Sequence, residues 1–126
     1  MFASLLTNAF FAPQTAVPVT VTKSETMLLE QIDPKQLAKE LLTKKQFRCF
    51  TRLIGKESAW NPSAANPTSS ARGIGQLLKS TYNNLGMKHS DIGSVQVVGA
   101  LAYIGRKYGS GGPCAAWEFW KKNNWY

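Results

Sequence analysis

Glu57 is the residue in this chain best placed to do chemistry. It lies on a run that reads as a helix, with Ile54, Leu53 and Phe50 three, four and seven residues before it. At about 100° per residue these side chains share one face, and Cys49 sits near its edge. A carboxylate turned toward an apolar face is costly to ionise, so its pKa is expected to rise into the range that suits a general acid. The competing reading is an apolar-facing Glu that only bonds to the loop behind it. That loop is dense in turn and hydrogen-bonding residues: Ser58, Asn61-Pro62, Asn66-Pro67, Ser69-Ser70-Ala71 and Gly73-Ile74-Gly75-Gln76. Gly73 and Gly75 flank Ile74, which would let the backbone come close to a bound ligand.

The other acids are Glu25, Glu30, Asp33, Glu40, Asp91 and Glu118, and none belongs to this motif block. Asp91 and Glu118 are read as solvated surface acids, so one carboxylate is expected to do the work. His89 is the only histidine, which leaves a Ser-His or Cys-His pair without support. Two cysteines, Cys49 and Cys114, cannot make a structural zinc site by themselves. No metal or other cofactor is expected. Tyr82, Trp117 and Trp120 could stack on sugar, but aromatics at helical spacing are read first as core, and the tryptophans are left out of the site.

Elements that would position Glu57 are visible from Asp33 onward. Asp33-Pro34-Lys35-Gln36 offers an N-cap, a proline at the first helical position and a glutamine able to close a capping box. Leu37, Leu41 and Leu42 are expected to be the buried stripe of that short helix. Thr43-x-x-Gln46 repeats the signal for a helix from about Lys44 to Ser58. Residues 61–72 read as loop. A short helix is expected after Ser80, ending at Gly86. A longer one starts at Ser94, with Val95, Val98, Leu101 and Ala102 inward and Gly109 as its stop. Pro113 opens a last helix carrying Trp117 and Trp120.

The 126 residues suffice for one core, and 44% apolar with 11% aromatic residues is a globular composition. Fifteen basic against seven acidic residues give a net charge of +8, which suits a polyanionic partner. Lys44, Arg48, Arg52 and Lys56 recur every four residues and read as a solvated face roughly opposite Glu57. No nucleic-acid motif accompanies the charge, so no nucleic-acid partner is expected. The apolar stretch within residues 1–24 lacks the positive start of a secretory leader and is too short and interrupted to span a membrane. Residues 1–30 are expected to form an extended arm that docks on the domain or on a partner protein, and 31–126 the domain proper.

The run from Phe47 to Tyr126 resembles the lysozyme-like soluble lytic transglycosylase family. The resemblance rests on Glu57-Ser58, the Asn61-Pro62 to Ala71 segment, Gly73-x-x-Gln76 and Ala102-Tyr103, in that order. The closing stretch, from Arg106-Lys107-Tyr108-Gly109 through Pro113-Cys114-Ala115-Ala116-Trp117 to Trp125-Tyr126, is similar to a secreted and phage-borne branch. One departure stands out: Ile104-Gly105 follow Tyr103 where many members carry Asn-Ala-Gly, so an amide that contacts sugar there is missing here.

The resemblance implies a mainly α, lysozyme-like transglycosylase domain with an extended N-terminal arm, acting on peptidoglycan glycan strands. It implies Glu57 as the catalytic acid, with Ser58, Asn66, Gln76 and Tyr103 as substrate-binding or carboxylate-positioning residues. It also implies a Cys49–Cys114 disulfide, closing a loop worth about 4 kcal/mol in the chain-entropy model. Such a bridge fits an oxidising extracellular or periplasmic site of action, or one on a phage particle. The alternatives are a hydrolytic lysozyme using the same Glu57, or a structural virion protein on a lysozyme-like fold.

Overall fold

Local side-chain caps account for the starts of the first three helices described in this chain. A computed structural model describes residues 21–126. Among them are helices α1 (Lys23–Gln31), α2 (Pro34–Leu41), α3 (Lys44–Glu57), α4 (Lys79–Asn84), α5 (Gly93–Tyr108) and α6 (Gly112–Asn123). A 3-10 turn, Gly109–Gly111, leads into α6. No strand forms among the described residues. Two isolated antiparallel bridges, Ala65 with Arg72 and Arg72 with Leu77, tie the long loop between α3 and α4. The class is mainly α, as expected.

Residues 1–20 of the expected extended arm lie outside the described residues. The rest of 1–30 departs from that expectation, because most of it is α1. Thr22 Oγ1 accepts from the Glu25 amide at 3.1 Å, and the Glu25 carboxylate accepts from the Thr22 amide at 3.3 Å. This closed capping box starts the helix. The buried Ser94 hydroxyl of α5 donates to the Leu29 carbonyl at 2.7 Å and ties α1 to the domain.

At the next two helices the cap forms but the box does not close. Asp33 and Thr43 accept from the amides of Gln36 and Gln46 at 2.8 and 3.2 Å. The Gln36 side chain instead reaches Glu40. Gln46 does something more useful. Its Nε2 donates to the Gly111 carbonyl at 3.2 Å, and its Oε1 accepts from the Cys114 amide at 2.9 Å. The start of α6 has no cap of its own, so a side chain from α3 satisfies one of its orphan donors.

That bond sets α3 beside α6. Cys49 and Cys114 form a disulfide with Cα atoms 4.8 Å apart. Further along, Glu57 of α3 meets Trp120 of α6, so the two helices run parallel. Between them and α5 lies one core that includes Phe50, Leu53, Ile54, Val97, Ile104 and Ala116.

Two buried faces differ from expectation. In α2 the buried residue is Ala38, while Leu41 is 56% exposed. In α5 Val98 is 45% exposed and Ala102 is exposed, whereas Ser94, Gln96, Val97, Gly99 and Ala100 are buried. The cause is close approach. A Cβ on Gly99 would stand 2.9 Å from the Tyr82 ring, so the face of α5 that meets Tyr82 is made of small residues, and Val97 and Ile104 share the buried side with them.

Candidate active site

Glu57 ends α3, and the chain turns away from it through two left-handed residues, Ala59 (φ 51°) and Trp60 (φ 64°). Positive φ at a non-glycine residue is locally costly and persists only where packing enforces it. Trp60 is held edge-on to Phe50, with ring centroids 5.7 Å apart.

The loop beyond is fastened by Gln96, which is 1% exposed. Its Oε1 accepts from the Ile74 amide at 2.9 Å, and its Nε2 donates to the carbonyls of Ser90 and Pro62 at 2.8 and 3.1 Å. From the other side, Ser58 Oγ donates to the Ile74 carbonyl at 2.6 Å. Ile74 is thereby pinned between α5 and the residue next to Glu57. Sequence reading overlooked Gln96, because a polar residue inside a helix gives no sign of facing inward.

The same contacts correct the expected role of the glycines. Gly73 (φ 77°) and Gly75 are both buried. A Cβ on Gly73 would fall 2.5 Å from the Gln96 side chain, and one on Gly75 would fall 2.9 Å from Ala100 Cβ. The close approach these glycines permit is to the protein's own core and not to a ligand.

Pinned in this way, the loop forms one wall of a cleft of about 350 Å³. Glu57, Asn66, Gln76, Tyr103, Trp125 and Tyr126 all line it. Glu57 is the sole acidic side chain among the described residues that do so; Asp91 is exposed, and Glu118 pairs with Lys121 at 2.7 Å. Burial raises the Glu57 pKa above the ordinary carboxylate value, and a hydrogen bond from Trp120 offsets part of that rise. Trp120 Nε1 donates to Glu57 Oε1 at 2.9 Å. Trp117 stacks on the same indole, with centroids 5.6 Å apart and planes 15° from parallel. Leaving both tryptophans out of the site was therefore an error for Trp120, which touches the carboxylate directly.

Of the remaining expected site residues, three line the cleft and one does not. Gln76 (φ 51°) spends its amide hydrogens on the Ala64 and Gly73 carbonyls, at 3.1 and 2.9 Å. Asn66 both lines the cleft and caps a turn, its Oδ1 accepting from the Thr68 amide and hydroxyl. The Tyr103 hydroxyl donates to the Tyr126 carbonyl at 2.9 Å and makes no hydrogen bond to Glu57. Ser58 is not in the lining, since its hydroxyl serves Ile74.

Tyr126 was not foreseen as part of the site. It is buried, and its hydroxyl donates to the Gly75 carbonyl at 2.6 Å. Burial pushes that phenol well above its ordinary pKa, and the negative charge of Glu57 adds to the effect. Tyr126 therefore stays a neutral donor that locks the last segment against the loop. Tyr82 is core, buried against Gly99.

A family model described as the transglycosylase SLT domain matches residues 37–99, half of the 126. This chain belongs to the transglycosylase SLT domain family. Members of the SLT family are lytic transglycosylases that act on peptidoglycan. No curated protein and no solved structure matches the chain. The SLT match takes in Glu57, Ser58, Asn66 and Gln76. Tyr103, Asn124, Trp125 and Tyr126 lie beyond it, so part of the cleft wall comes from outside the matched segment, as does Trp120.

Proposed function

We propose that this chain cleaves the bond between N-acetylmuramic acid and N-acetylglucosamine in peptidoglycan strands, with Glu57 as the single catalytic carboxylate. The observation that carries this reading is the isolation of Glu57: it is the only acidic side chain in the cleft lining, partly withdrawn from water and held by the Trp120 indole. Glycosidases that work through a pair of carboxylates need a second one across the bond.

In the proposed cycle the protonated Glu57 gives its proton to the bridging oxygen as the glycosidic bond breaks. The acetamido oxygen of the muramyl sugar covers the anomeric carbon from the opposite face. The sugar's 6-hydroxyl oxygen then bonds to that carbon and displaces the acetamido oxygen. Its proton passes to Glu57, which is restored, and a 1,6-anhydro ring closes without consuming water. The raised pKa of Glu57 supports the first step, because it increases the share of molecules that hold the acid's proton at any given pH. Gln76, Asn66 and Tyr103 would meet the sugars along the cleft. Ser58 would act indirectly, by holding Ile74.

The disulfide supports an oxidising site of action, outside the cytoplasm or on a particle that breaches the wall. No helix among the described residues is long and apolar enough to cross a membrane. Any role of residues 1–30 in docking on a partner belongs to the same proposal.

The test is mass spectrometry of products from purified peptidoglycan, comparing the native chain with Glu57→Gln. Anhydro-muropeptides that vanish in the variant are the expected result. Reducing ends in their place would make the chain a hydrolase with the same acid. No product from the folded native chain would overturn the catalytic reading.

A further inference from the structure

The cleft has a neighbouring concavity at Tyr103. A second cavity, of about 260 Å³, shares Thr81 and Tyr103 with it and is further lined by Asn84, Leu85, Arg106 and Lys107. The shared residues set the two side by side, the second lying toward the last turn of α5.

Two cations stand in this extension without an acidic partner. The only ion pair among the described residues joins Glu118 to Lys121, and residues 1–20 contain no Asp or Glu. Arg106 Nη1 donates to the Asn84 carbonyl at 2.6 Å, which fixes the guanidinium at the cavity wall and leaves its other donors uncommitted. Lys107 donates to the Tyr103 hydroxyl at 3.3 Å, and its ammonium lies 4.2 Å from the centre of the Trp125 ring and 4.7 Å from that of Phe119. Such contacts hold a cation in place without neutralising it. The C-terminal end of a helix favours positive side chains in general. It does not explain why both of these line a concavity that shares Thr81 and Tyr103 with the Glu57 cleft.

We propose that this extension is a carboxylate subsite for the substituent on the muramyl sugar. The proposal rests on the reading that the cleft binds a peptidoglycan strand. Of the two sugars in such a strand, only the muramyl residue carries an acid-bearing group: the lactyl carboxylate itself or the carboxylates of a peptide attached through it. A guanidinium fork with free donors matches a carboxylate geometrically, and the neighbouring ammonium adds charge. The site thus reads the substituent as well as the sugar backbone.

The test titrates Glu57→Gln with peptide-bearing and peptide-stripped strands, each with carboxylates free or capped as methylamides, following tryptophan fluorescence. Capping is expected to weaken binding about two- to fivefold, the range for one partly exposed ion pair. The pair of preparations that shows the loss identifies the peptide or the lactyl acid as the source. Adding Arg106→Gln should abolish the difference, whereas adding Arg48→Gln, on the exposed face of α3, should keep it. Binding that ignores capping, or that Arg106→Gln leaves equally sensitive, overturns the subsite. Anhydro products from the native chain are scored in parallel. Products with capping-insensitive binding refute the subsite alone, and capping-sensitive binding without products refutes the chemistry alone.

Discussion

Replacing Gln96 with Leu tests how the loop behind Glu57 is held. The substitution keeps the volume of a fully buried side chain roughly constant and removes all three of its hydrogen bonds. The Ile74 amide bond is buried, so its donor would be stranded at about 1–3 kcal/mol. The Ser90 and Pro62 carbonyls are only part-buried and water can replace the lost donor, so each adds roughly 0.5 kcal/mol. Removing a polar side chain from the core returns some of this through apolar burial. A net loss of about 2–3 kcal/mol is expected, or roughly 10 °C in Tm for a domain of this size. Urea unfolding followed by tryptophan fluorescence reads the stability, and hydrogen exchange at the Ile74 amide reads the local effect. Activity should fall by more than stability explains at a temperature where the variant is folded, because Ile74 also anchors Ser58 beside Glu57. A loss under about 1 kcal/mol, or an Ile74 amide as protected as before, would refute the idea that Gln96 fastens the loop.

Two further predictions concern the α3–α6 pair. In Trp120→Phe the ring remains but the donor to Glu57 is lost, and that donor is what lowers the carboxyl pKa against burial. Its removal should raise the pKa further. Since the proposed acid is the protonated form, the alkaline limb of kcat/KM should move to higher pH, and a shift to lower pH would contradict the assignment. Replacing both Cys49 and Cys114 with Ala opens a loop spanning a sequence separation of 65, at about 4 kcal/mol in the chain-entropy model. Calorimetry should show Tm lowered by roughly 10 °C or more.

The helices were legible where their signals are local. Asp33 and Thr43 mark a helix start by a side-chain cap, Pro34 and Pro113 by a φ preset for the first turn, and the structure puts helix starts there. Thr22-x-x-Glu25 carried the same kind of signal but sat in a stretch read as an arm. The buried face of α5 was illegible for a different reason. Hydrophobicity ranked Val98 and Leu101 above Gly99 and Ala100, yet what decides the face is how closely Tyr82 can approach. Steric complementarity between elements distant in sequence leaves no mark on either one.

The site divides along the same line. Glu57, Asn66 and Gln76 could be found because they belong to one ordered motif block on a single stretch of chain. Trp120 and Tyr126 are separated from Glu57 by 63 and 69 residues and have no spacing relation to it. Their roles exist only because the disulfide and the Gln46 cross-cap set α6 parallel to α3. The proton affinity of Glu57 is therefore set jointly: α3 turns the carboxylate toward the cleft, and α6 supplies the donor that limits how far burial can raise it. A change that shifts α6 without touching the motif block should alter the pH at which this acid works before it abolishes the work itself.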